Sequence, residues 1–232
     1  MLRKHIPNFI TCLNIFSGSV AVYLAFNGNY GAAFLAILLA AVFDFLDGLA
    51  ARLLKAYSNM GKELDSLADM ISFGLAPGAL VFTLLKDTAI NDWLPFVGFI
   101  IPVFSGLRLA KFNTDTRQSS SFLGLAVPAN AIFWAGLIYS YSDFLVINVW
   151  IELALLPIFC FLMVSEIPMF ALKIKNFKWS DNRIQYVFLI GLILLFLVLQ
   201  KNAFAAIIVW YIVLSVFNSL SWSKNEQSKV VN

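Results

Sequence analysis

Apolar runs, each close to the thickness of a membrane, follow one another along almost the whole chain. A helix that crosses a bilayer needs about 20 mostly apolar residues, within a range of about 17–25. Eight stretches approach that length, roughly 9–27, 31–54, 63–85, 93–112, 123–142, 146–170, 185–200 and 203–221. The sixth is interrupted by Pro157 and carries Glu152 and Glu166 near its ends. The last two are separated only by Gln200, Lys201 and Asn202, and read as a hairpin or as one long kinked span. None alternates with period two, and in lipid only helices and closed barrels satisfy their backbone groups. The expected fold is all-α, a polytopic membrane helix bundle of eight spans. Composition agrees: 61% of the 232 residues are hydrophobic and 12% charged, against about 45–50% apolar and about 25% charged in a soluble domain. That excludes a DNA-binding domain, a secreted disulfide scaffold and a disordered chain. The net charge of +3 is too small to call for a nucleic acid. Cys12 and Cys160 lie in apolar stretches and read as packing residues.

Basic residues fix the expected orientation, because cytoplasmic loops are enriched in them. With the N-terminus inside and eight spans, 14 of the 16 Lys and Arg residues fall on the cytoplasmic side, leaving Lys86 and Lys201 opposite. Both termini and the short polar tail, 223–232, are then cytoplasmic, and the tail is expected to be disordered. The basic start is not read as a cleaved signal, since Asn14 interrupts its apolar stretch and no small-x-small site follows. Residues 1–222 read as a single transmembrane catalytic domain.

Charges in or beside a span are costly and mark function. Most of them gather in one region. Asp44 and Asp47 are three apart at the end of the second span, and Asp65 and Asp69 four apart at the start of the third. Each pair shares a helix face. The short connection makes the two helices antiparallel neighbours and brings the four carboxylates together. At an effective dielectric of about 20, two such charges 4 Å apart repel by about 4 kcal/mol. Arg52 alone cannot balance four of them, whereas two divalent cations can. Oxygen-only ligands favour Mg²⁺, Mn²⁺ or Ca²⁺, and Mg²⁺ commonly completes its shell with substrate phosphates. The residues therefore point to a metal-dependent site for a phosphate or diphosphate at the membrane surface. Gly48, Ala51 and Gly61 thin one wall, so that a flat base or ribose can approach the backbone. A cation-coupled transporter would use acids nearer the midplane and repeated halves, and neither is seen.

Asp44 to Asp69 reads D-x-x-D-G-x-x-A-R-x(8)-G-x(3)-D-x(3)-D. On that motif the chain resembles the CDP-alcohol phosphatidyltransferases, and within them the integral-membrane phosphatidylserine synthases of bacteria. Supporting stretches are Ile6-Pro7-Asn8 with Thr11 and Asn14, Ser72-Phe73-Gly74 with Ala76-Pro77, Arg108 to Asn113, and Phe122 with Gly124 and Pro128. The resemblance covers about residues 1–170. It implies a six-helix core with two further C-terminal helices at about 185–221, a homodimer in the inner membrane, and transfer of a phosphatidyl group from CDP-diacylglycerol to L-serine. It implies a site of two divalent cations, Mg²⁺ or Mn²⁺, held by Asp44, Asp47 and Asp65, with Asp69 completing the cluster as general base. Gly48, Ala51, Arg52 and Gly61, with Asn8 and Thr11, would contact the liponucleotide.

A serine acceptor brings a carboxylate, whose partner should be basic and lie in the same layer. Arg108 and Lys111, three apart on one helix face, are the candidates, and Ser72 and Asn113 could orient the acceptor. Glycerol 3-phosphate or an inositol phosphate remains an alternative acceptor, although a phosphate should need more basic residues than these two.

Overall fold

The computed structural model describes residues 5–88, 90–115, 122–172 and 178–230. Helix α1 (His5–Phe26) returns through Gly28 (φ 71°) into α2 (Tyr30–Leu53), whose first turn is capped by the Asn29 side chain accepting from the Ala32 N–H at 3.2 Å. Small buried residues line the seam between these helices: Ala21 and Ala25 on one side, Ala33 and Ala40 on the other. The Ser17 hydroxyl crosses it to donate to the Ala36 carbonyl at 2.8 Å. Close approach of small residues with such hydrogen bonds is how helices associate where water gives no driving force.

Next comes one helical run of 29 residues, Asn59–Asp87. It begins as α3 (Asn59–Asp69), widens into a π-helical turn at Met70–Leu75 and resumes as α4 (Ala76–Asp87). The wide turn falls just before Pro77, which has no N–H to give to a regular ladder. Ser72, Phe73 and Gly74 of this turn are buried. α1 crosses so closely that a Cβ on Gly18 would overlap Ser72, whose hydroxyl donates to the Asn14 carbonyl at 3.0 Å. Nine of the twelve α4 residues are buried, so α4 is the axis of the bundle, flanked by α1 and α6. A 3₁₀ segment (Leu94–Phe99) leads into α5 (Ile100–Thr114). Then follow strand β1 (Phe122–Leu123), α6 (Val127–Ile147), α7 (Val149–Val164), strand β2 (Pro168–Met169), α8 (Arg183–Leu199) and α9 (Ala203–Val230). α9 docks on the body of the bundle through Phe204, which meets Phe34 at 4.7 Å between ring centroids.

The expected eight spans are not found. Among the described residues six helical runs are long and apolar enough to cross a membrane, His5–Phe26, Tyr30–Leu53, Asn59–Asp87, Leu94–Thr114, Val127–Ile147 and Arg183–Leu220, with α7 a shorter apolar helix. The stretch 146–170 loses its length at the far end. Pro157 stays inside the helix, but the backbone turns extended at Ser165. β1 and β2 then pair antiparallel, Phe122 with Met169 and Leu123 with Pro168. Sixteen residues remain in α7, about 24 Å at 1.5 Å per residue against a hydrocarbon core of about 30 Å. The last two stretches form one run of 38 residues. Gln200 (φ 49°) and a 3₁₀ turn at Gln200–Asn202 fold it back, so that Trp210 lies over Gly191. The polar tail expected to be disordered continues α9 as helix to Val230. Arg3, Lys4, Arg117, Lys173 and Lys175 of the charge count lie outside the described residues. Large apolar side chains such as Phe9, Phe16, Leu35 and Phe45 are exposed around the helices, and the protein is an integral membrane protein.

Gly124 holds the end of α7 in place. Its φ is 75°, and a Cβ there would lie 2.5 Å from the Met163 carbonyl oxygen and 2.9 Å from that of Ser165. Gly28 has a similar φ but open space around it. Gly28→Ala is expected to cost only the left-handed backbone penalty, about 1–2 kcal/mol. Gly124→Ala adds overpacking of about 1–3 kcal/mol. Thermal unfolding of the purified protein in detergent should show the larger drop for Gly124→Ala.

Candidate active site

α2 ends in a tight turn: Lys55 has φ 51°, and the Ala56 N–H reaches back to the Ala51 carbonyl at 2.9 Å. Ser58 then caps α3 by accepting from the Gly61 N–H at 3.0 Å. α1 packs against both α2 and α3. Between the three lies a cavity of about 390 Å³, lined by Asn8 and Thr11 of α1, Asp44, Asp47, Gly48 and Ala51 of α2, Tyr57 and Ser58 of the turn, and Gly61, Lys62 and Asp65 of α3.

One carboxylate oxygen from each of Asp44, Asp47 and Asp65 lies within 4.8 Å of the other two. Asp44 faces both Asp65 and Asp69 at hydrogen-bonding range. The Thr11 hydroxyl sits beside Asp47 and donates to the Pro7 carbonyl at 3.0 Å. Asp47 Oδ2 is buried with no hydrogen-bond partner. Three converging carboxylates, one with an orphaned oxygen, are a donor set of the kind hard cations take. The triad is a divalent-cation site. Asp69 stands one turn deeper, outside both the triad and the cavity lining, with Oδ1 buried and unpartnered.

The other expected residues separate into two groups. Asn8, Thr11, Gly48, Ala51 and Gly61 line the cavity. A Cβ on Gly48 would have only the Arg52 guanidinium within 4 Å, at 3.8 Å, whereas one on Gly61 would meet Asn8 Oδ1 and Ser58 Oγ at 3.0 Å. Arg52 is exposed and donates from Nε to the Gly48 carbonyl at 2.9 Å. Arg108 is 4% exposed, its guanidinium 5.2 Å from the Phe112 ring centroid and within electrostatic reach of Asp69. Lys111 does not join it. Its Nζ donates to the Val164 carbonyl at 3.2 Å and pairs with Glu166 at 3.6 Å. Ser72 is bound to α1, as described above. Asn113 donates to Ser66 Oγ at 2.8 Å and accepts Lys62 Nζ on its carbonyl at 3.2 Å, tying α5 to α3. Tyr57, Ser58 and Lys62 were not singled out from the sequence. Ser58 was open to recognition as a helix cap three residues before Gly61, but Tyr57 and Lys62 carry no such signal.

A sequence profile described as CDP-alcohol phosphatidyltransferase matches residues 4–159. The chain belongs to that family. It is 35% identical over 146 residues to the CDP-diacylglycerol–serine O-phosphatidyltransferase of Bacillus subtilis, covering 61% of this chain and 80% of that one. To the protein of the same description from Methanocaldococcus jannaschii it is 32% identical over 190 residues, 82% of each chain. To the archaetidylserine synthase of Methanothermobacter thermautotrophicus it is 37% identical over 129 residues, 55% of this chain and 54% of that one. Membership makes the protein an enzyme of the phosphatidyltransferase class.

Gly48 gives the family's chemistry a direct test, because its surroundings are open. Gly48→Leu should leave the melting temperature within about 2 °C. By filling the cavity it should lower turnover by about 10²-fold.

Proposed function

We propose that the protein transfers the phosphatidyl group of CDP-diacylglycerol to the hydroxyl of L-serine, giving phosphatidylserine and CMP. The observation that carries this reading is the convergence of Asp44, Asp47 and Asp65 on one wall of the 390 Å³ cavity. The serine acceptor is supported by the relatives, whose descriptions name serine as the acceptor or a serine lipid as the product. It is supported too by Arg108, a buried cation beside Asp69 suited to a carboxylate.

Asp44, Asp47 and Asp65, with Asp69, would hold two divalent cations, Mg²⁺ or Mn²⁺. When bound, such ions neutralise the carboxylates and stabilise the charge that develops on departing CMP. Gly48, Ala51 and Gly61 leave room for the cytidine, while Asn8, Thr11 and Arg52 would contact the diphosphate. Arg108 binds the serine carboxylate and turns the hydroxyl towards the phosphorus. Asp69 takes the hydroxyl proton as the new O–P bond forms and the bond to the CMP oxygen breaks. The acyl chains stay among the exposed apolar side chains, so the head group alone enters the polar layer. The same reading places the protein in the inner membrane as a homodimer of one catalytic domain, 1–222, with site and termini facing the cytoplasm.

Purified protein given CDP-diacylglycerol and Mn²⁺ or Mg²⁺ should release CMP with L-serine and not with glycerol 3-phosphate. Release with glycerol 3-phosphate alone would overturn the acceptor, and release unaffected by chelator would overturn the metal site. Asp69→Asn should lower turnover by about 10²–10⁴-fold while CDP-diacylglycerol still binds. Asp44→Asn should weaken binding and raise the metal concentration needed for half activity. Wild-type behaviour of either variant would refute the role given to it.

A further inference from the structure

The C-terminal hairpin of α8 and α9 is seated unevenly on the bundle. α9 closes tightly on α6, where a Cβ on Gly136 would lie 2.7 Å from that of Phe204. α8 is far less engaged, and of its 17 residues only Phe188 is buried. Between α8 and α2 the packing opens into a second cavity of about 370 Å³. Leu35 and Leu38 line it from α2 and Phe196 from α8. Contiguous rings join the two sides. Tyr139 stacks on Phe34 at 5.1 Å between centroids, Phe34 meets Phe204 at 4.7 Å, and Phe204 meets Phe196 at 5.4 Å. Phe34 lies thirteen residues before Asp47 on α2, about 20 Å away at 1.5 Å per residue, so this cavity is separate from the candidate active site.

One cation stands beside these apolar walls. Lys201 completes the lining from the turn between α8 and α9. Its carbonyl accepts from Ser140 Oγ at 3.0 Å, which ties the turn to α6. Its side chain is exposed and has no ion pair among the described residues. An apolar gap left empty forfeits dispersion contacts and offers water no partners. In a bilayer the surrounding hydrocarbon can fill it, and a chain between Leu35 and Phe196 supplies the contact that α8 lacks with α2. The ammonium group of Lys201 is a point charge suited to a phosphate oxygen. A phospholipid carries both chain and phosphate. A headgroup of net negative charge suits this lysine better than a zwitterionic one, whose own ammonium competes with it.

We propose that the groove between α2, α6 and the α8–α9 turn binds one anionic phospholipid, with an acyl chain against Leu35, Phe196 and Phe204 and the phosphate on Lys201. The lipid is a wedge that secures the hairpin to the bundle at the end away from the aspartates. This inference stands apart from the metal and acceptor readings above.

Native mass spectrometry of the full-length protein in detergent, titrated with dioleoylphosphatidylglycerol or dioleoylphosphatidylcholine, tests it. Wild type is expected to hold one phosphatidylglycerol that Leu35→Trp, by filling the groove, does not hold. Lys201→Gln should weaken that lipid about 5-fold, the effect of one lysine at a membrane surface, and Lys201→Arg should keep it. Leu35 is 64% exposed and Lys201 is exposed too, so without lipid these variants should melt within about 2 °C of wild type. Saturating phosphatidylglycerol should then raise the melting temperature of wild type by at least about 2 °C more than that of Leu35→Trp. Undiminished phosphatidylglycerol binding in Leu35→Trp or Lys201→Gln, equal binding of the two lipids by wild type, or an equal melting gain in wild type and Leu35→Trp would each overturn the proposal. So would a wild-type dimer that Leu35→Trp splits, which would give the groove to a second copy of this chain.

Discussion

Two like charges 4 Å apart repel by about 4 kcal/mol at an effective dielectric of about 20, and Asp44 has Asp65 and Asp69 at hydrogen-bonding range with Asp47 close by. The surrounding helices are arranged so that this repulsion cannot simply push the side chains apart. α1 braces α2 and α3 from one side, with Ser17 bound to the Ala36 carbonyl and Ser72 bound to that of Asn14. Lys62 and Asn113 tie α3 to α5 from another. The cluster is thus held by backbone and hydroxyl contacts that owe nothing to its own charge. A preformed anionic pocket of that kind gains from a bound cation without having to reorganise.

The site was more legible in the sequence than the fold around it. Asp44, Asp47 and Asp65 converge because helical spacing and a short connection leave them little choice, and both can be read from residue order. Gly48, Ala51 and Gly61 face the same cavity for the same reason. Asp69 is offset from the triad, and α1 supplies a third wall through Asn8 and Thr11, which the resemblance implied and the spacing did not. Neither follows from periodicity, because each depends on how a third segment packs. Arg108 and Lys111 share a helix face in the sequence yet end on different partners. Near the end of α5 a neighbouring segment, with Val164 and Glu166, captures the lysine first.

The span count failed for a related reason. Hydropathy registers which residues are apolar and not where the backbone leaves the helix. Pro168 and Met169 are spent on a strand pair instead of a last helical turn. The turn at Gln200 was legible, but its 3₁₀ segment keeps Arg183–Leu220 one helical run.

The widened turn at Met70–Leu75 separates two tasks within one rod. Below it α4 is locked into the centre of the bundle, and above it α3 presents Asp65 to the cavity. A supernumerary residue at that junction rotates everything upstream by about 100° relative to the anchored half. The bearing of Asp65 and Asp69 is therefore governed by an indel-like offset rather than by side-chain identity. A lineage could re-aim its carboxylates by gaining or losing a single position there, without exchanging any of them.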